Sequence, residues 1–60
     1  MCEFKVFLNG SKVMEDVVIA KSEGNVIVFL IDVVGESREF KNVRIAEVNV
    51  PATRLVLESC

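Results

Sequence analysis

The chain has 60 residues, 7 Lys+Arg, 9 Asp+Glu and no His, so its net charge is −2. Without His, Ser11, Ser22, Ser37 and Ser59 have no partner for a Ser-His triad, and the commonest metal ligand is missing. An acidic balance with four Phe, no Tyr and no Trp speaks against a nucleic-acid platform, which needs clustered cations and stacking rings.

A domain of this length buries only about 60% of the surface its unfolded chain exposes. One small domain spanning residues 1–60 is therefore expected, with no enzyme pocket carved from so small a core. Twelve Val and four Ile make 16 of the 60 residues β-branched aliphatics, which suit a pleated sheet better than a helix. Met1, Cys2 and Glu3 form no basic leader. The longest apolar run, residues 26–31, falls far short of a membrane span. The expected location is cytoplasmic.

Alternation begins at once. Phe4, Val6 and Leu8 share one face of a first strand, and Asn9-Gly10 follows as a turn because both residues tolerate positive φ. Glu15-Asp16, read as a solvated turn, precede a second strand over residues 17–22. A helix over residues 13–20 competes, and Val17-Val18-Ile19 counts against it. Glu23-Gly24-Asn25 connects tightly to a third strand over residues 25–33, which makes a hairpin. Gly35-Glu36 turn the chain into a fourth strand, residues 37–40. Lys41-Asn42 lead to a fifth over residues 43–50. Pro51-Ala52-Thr53 close another hairpin, and residues 54–58 form the last strand. Six short strands with a turn roughly every ten residues predict an all-β fold, a small antiparallel barrel of SH3- or Sm-like class.

Two strands break simple alternation. In the third, Val26, Val28 and Leu30 point one way and Ile27, Phe29 and Ile31 the other. One layer of sheet leaves one of these faces uncovered. Either barrel curvature shields it or a homodimer buries it, since an open apolar stripe invites aggregation. In the fifth strand Val43 and Ile45 lie on one parity, Ala46, Val48 and Val50 on the other. A bulge near Ile45-Ala46 accounts for the shift.

Cys2 and Cys60 are the only thiols. Cys60 reads as an incidental terminal thiol, and a disulfide between the two requires that the ends adjoin. Cys2 differs because it lies beside the amino end. With Met1 removed, the Cys2 α-amine and thiolate face one metal. With Met1 retained, its amine, the Cys2 amide nitrogen and the thiolate contribute together. Two such sets across a two-fold axis give N₂S₂. Planar nitrogen and sulfur donors suit Ni(II) or Cu(II), and sulfur-rich tetrahedral sites suit Zn(II). The competing reading is a buried, inert Cys2, since its parity matches Phe4, Val6 and Leu8. The seven cations, among them Lys5, Lys21 and Arg44, are interleaved with acids and read as solvated surface. Gly10, Gly24 and Gly35 are isolated turn glycines and make no phosphate loop.

The opening Met1-Cys2, the strand Lys5-Val6-Phe7-Leu8, Asp16-Val17-Val18 and the Glu23-Gly24 turn together resemble a known family. So do the run Phe40-Lys41-Asn42-Val43-Arg44-Ile45-Ala46-Glu47-Val48-Asn49 and the closing Leu55-Val56-Leu57. The pattern is similar to the CooT-type proteins, small nickel-binding accessory proteins associated with carbon monoxide dehydrogenase. The resemblance implies a non-enzymatic homodimer of small barrels holding Ni(II) between subunits through Cys2, with Met1 beside it and a nickel enzyme as client. Cys60 lies outside the family pattern. Related members also carry the label of predicted RNA-binding proteins. An RNA-binding barrel, stacking bases on Phe7, Phe29 or Phe40, is thus one rival. A structural or adaptor subunit using Ile27, Phe29 and Ile31 is the other.

Overall fold

The computed structural model describes residues 2–24 and 26–60. Six strands account for most of them: β1 (Phe4–Leu8), β2 (Ser11–Glu23), β3 (Ile27–Asp32), β4 (Ser37–Lys41), β5 (Val43–Asn49) and β6 (Arg54–Ser59). No helix occurs among the described residues, so the competing helix over residues 13–20 is not formed. The strands build one six-stranded sheet in the order β4-β3-β2-β1-β6-β5.

Two features correct the expected antiparallel barrel. The sheet is not closed: β4 and β5, adjacent in sequence, are its two edges. It is also mixed, because β1 and β6 pair in parallel, Lys5 to Arg54 through Leu8 to Leu57. Both corrections have one cause. The chain crosses from one edge to the other through Asn42, which adopts a left-handed φ of 61°. The β5–β6 hairpin then returns on the far side of β1, and β6 arrives running the same way. Where closure would occur, the Val43 N–H reaches toward β3, donating to the Val26 carbonyl at 3.2 Å.

The turns follow their residues. Asn9 and Gly10 take φ values of 51° and 88°, and Leu8 pairs with Ser11 across them. Such a two-residue loop needs positive φ at both positions. The second strand begins at Ser11 rather than Val17, another departure from expectation. Glu15-Asp16 do not end a turn there; they form an irregularity inside the strand. Asp16 sits at φ 58°, and the pairing steps from Val6–Met14 to Phe4–Val17. The Asp16 carbonyl accepts the Val33 N–H at 2.9 Å, which ties this kink to the β3–β4 turn. The third strand is shorter than read, and its expected start at Asn25 lies outside the described residues.

The expected bulge in β5 is present. Ile45 pairs with Leu57 and Glu47 with Val56, so Ala46 is the extra residue. Bulges of this kind increase local twist and curl the sheet around its inner face. That face carries the core of Val6, Val17, Val28, Leu30, Val43, Leu55 and Leu57, with Phe4, Leu8, Met14, Phe40 and Ile45 packed against it. Arg38, opposite Leu30 in the ladder, covers part of the open side. Its guanidinium lies 4.9 Å from the centre of the Phe40 ring and donates to the Val13 carbonyl on β2 at 2.7 Å.

Candidate metal centre

β1 is anchored at its start by the β5–β6 turn. The Lys5 N–H donates to the Thr53 carbonyl at 2.8 Å. Cys2 lies three residues earlier and is exposed. The inert, buried thiol anticipated from its parity is therefore not what the fold provides, and its sulfur is open to solvent. Met1, the expected companion ligand, lies outside the described residues.

Cys60 is exposed as well, and its N–H donates to the Asn42 carbonyl at 2.9 Å. The parallel register separates the two thiols. Lys5 is level with Arg54, and six further residues at about 3.3 Å each carry the chain roughly 20 Å to Cys60. Residues 2–5 span at most about 11 Å. The two Cα atoms thus stay beyond the roughly 4.4–6.8 Å that a disulfide spans. Cys2 and Cys60 of one chain neither form a disulfide nor hold a common ion.

The donor set of one chain is short. Among the described residues no three His, Cys, Asp or Glu side chains gather. Cys2 therefore brings one thiolate and neighbouring backbone nitrogens. Four-coordinate sites need more donors than that. The residues fit an ion only if a second chain supplies the other half.

Sequence reasoning missed an apolar groove. It has a volume of about 270 Å³ and is lined by Phe4, Val18, Ala20, Ile45, Val48 and Leu55 among others. The irregularities of β2 and β5 border it. Of the two, the β5 break was its signal in the sequence, as the parity shift at Ile45-Ala46. Because Phe4 lines the groove, the N-terminal approach to β1 runs past its edge.

The rings and cations proposed for RNA are mostly dispersed or paired, although Phe29 lies level with Lys21 across β2 and β3. Phe40 packs on the core beneath Arg38. Arg44 pairs with Glu58, Arg54 with Glu47 at 3.5 Å and Lys12 with Glu15 at 3.4 Å. Lys5, Lys21 and Lys41 stand on β1, β2 and β4 respectively, so no cationic stripe forms among the described residues. No helix there is long and apolar enough to cross a membrane.

The family model described as CO dehydrogenase accessory protein CooT matches residues 1–58. The chain belongs to the CooT family. No curated protein matches it. CooT membership gives an accessory role toward CO dehydrogenase and points to a non-catalytic part in it. The open sheet is thus the form this CooT chain takes, with its cysteine at position 2 outside the core.

Proposed function

We propose that this CooT protein is a cytoplasmic nickel(II) carrier for a carbon monoxide dehydrogenase, and that its cargo ion sits between two chains. The observation that carries this reading is the exposed Cys2 thiol at the head of β1, in a chain with no other donor cluster among its described residues. Two copies related by a two-fold axis place like against like. Cys2 then supplies two thiolates, and the backbone nitrogens around Met1 and Cys2 complete a planar set suited to Ni(II). Thiolate ligands must lose a proton to bind, so the ion is held less tightly as pH falls. Copper ranks above nickel in intrinsic affinity, so delivery of nickel depends on which ion reaches the site and on the client enzyme.

The test is a nickel titration followed by absorption spectroscopy and native mass spectrometry. The parent protein should take up one ion for every two chains, with a thiolate-to-nickel band. Cys2→Ser should lose the band and the uptake while keeping its strand signal in circular dichroism. Undiminished uptake by Cys2→Ser would end this reading.

A further inference from the structure

The chain has four Asn, and three of them precede Val: Asn25-Val26, Asn42-Val43 and Asn49-Val50. Asn9 alone precedes Gly. The difference matters for one reaction. The backbone nitrogen that follows an Asn can attack the side-chain amide carbon. A β-branched neighbour crowds that nitrogen, and Gly leaves it open. Asn9 and Gly10 are both exposed. Apart from its two chain neighbours, no described residue lies within 4 Å of where a Gly10 Cβ would stand. Water therefore reaches the pair.

The folded turn holds the reaction back. Asn9 has a φ of 51°, in the left-handed region where ψ is typically about +47°. There the Gly10 nitrogen lies across the Cα–C bond from Cβ, on the wrong side to reach Cγ. That bond must rotate by about half a turn before a ring can close. Three hydrogen bonds to the end of β6 oppose the rotation. The Asn9 N–H donates to the Leu57 carbonyl at 3.3 Å. Nδ2 donates to the Ser59 hydroxyl at 2.8 Å, and Oδ1 accepts the Ser59 N–H at 3.4 Å. Ser59 is the last residue of β6, and strand ends open locally at little cost in free energy.

We infer that Asn9 is a deamidation site, latched by Ser59 and released when the end of β6 opens. The Gly10 nitrogen bonds to Asn9 Cγ and gives up its proton, the Cγ–Nδ2 bond breaks, and ammonia leaves. Water then opens the resulting succinimide at either carbonyl. One opening gives aspartate. The other gives isoaspartate, in which the backbone runs through the side-chain carbon.

The two products differ in consequence. A carboxylate oxygen of aspartate still accepts the Ser59 N–H, and the Ser59 hydroxyl can turn round and donate to the other. Isoaspartate instead adds a backbone atom to a two-residue turn whose flanks, Leu8 and Ser11, pair directly. Such a turn no longer closes in register, and its tie to β6 is lost. The site lies past the end of β1 that is remote from Cys2, so it stands apart from the nickel reading.

Incubation of the full chain in mildly alkaline buffer at 37 °C, followed by peptide mapping in a mass spectrometer, tests the inference. The mass gain of an amide turned into an acid should appear at Asn9 ahead of Asn25, Asn42 and Asn49. Urea, which frees the turn, should speed the conversion at least about tenfold. Ser59→Ala, which takes one of the three bonds from the closed state, should speed it about fivefold. Asn9→Asp should melt close to the parent, and the isoaspartyl chain separated after incubation should melt lower. Three results would each overturn the inference. One is a parent that stays unconverted while the urea-treated chain converts. Another is a Ser59→Ala chain that converts no faster than the parent. The third is earlier conversion at an Asn-Val pair.

Discussion

Thr53 shows how a single residue sets the geometry near the N-terminus. Its φ of 49° crowds a β-branched side chain and costs about 1–2 kcal/mol. Two backbone bonds hold it there, from its N–H to the Val50 carbonyl at 3.0 Å and from the Lys5 N–H to its own carbonyl at 2.8 Å. Among the described residues its hydroxyl donates to the adjacent Ala52 carbonyl alone, at 2.7 Å, so little is lost with the side chain. Thr53→Gly should therefore raise stability by about 0.5–1 kcal/mol, read as a higher thermal midpoint. A lower midpoint would show that the side chain outweighs the strain. At the other end of the parallel pair, Cys60→Ser should leave nickel stoichiometry and the absorption band unchanged. The register keeps that residue away from Cys2 of its own chain, and a changed band would bring Cys60 into the site.

At the scale of elements, the contact between the first turn and the last strand is the one most open to test. Asn9 donates from Nδ2 to the Ser59 hydroxyl at 2.8 Å and accepts the Ser59 N–H at 3.4 Å. It also holds a left-handed φ of 51°. Asn9→Ala loses the bonds and strains the turn, and should cost about 2–3 kcal/mol. Asn9→Gly loses the bonds alone and should cost about 1 kcal/mol. Equal losses, measured by urea unfolding, would mean that the turn conformation matters little.

Six strands were legible because Val, Ile and Leu recur at period two between residues that favour turns. The β5 bulge was legible because Ile45 and Val48 fall on opposite parities. The start of β2 was not, since Asp16 breaks the alternation from inside the strand and reads as a turn. The parallel β1–β6 pairing was not legible either. It joins residues about fifty positions apart, and nothing local in Lys5–Leu8 or Arg54–Leu57 encodes the partner. At the site, the position of Cys2 was readable and its exposure was not, because parity assigned it to a buried face.

The whole molecule is small but well closed around its core. Its accessible surface of 3924 Å² matches the roughly 3,900 Å² expected for a compact monomer of this mass, although the sheet never joins edge to edge. Compactness comes from placing the terminal strands, β1 and β6, side by side in the interior of the sheet rather than at its edges. A domain of this size has about 3–9 kcal/mol of total stability. Leu57 is 0% exposed and lies level with both Leu8 and Ile45. Leu57→Ala should cost about 2–5 kcal/mol, enough to leave a large unfolded fraction at 37 °C.

A terminal strand inside the sheet also predicts a sharp limit to shortening. A chain ending at Glu58 loses the Asn9–Ser59 bonds and the Cys60–Asn42 bond, roughly 1–2 kcal/mol together, and should still fold. A chain ending at Val56 also loses Leu57, and with it the packing between β1 and β5. That chain should show no cooperative thermal transition by circular dichroism. If it melts cooperatively near the parent midpoint, the parallel β1–β6 pairing is not what holds the sheet together.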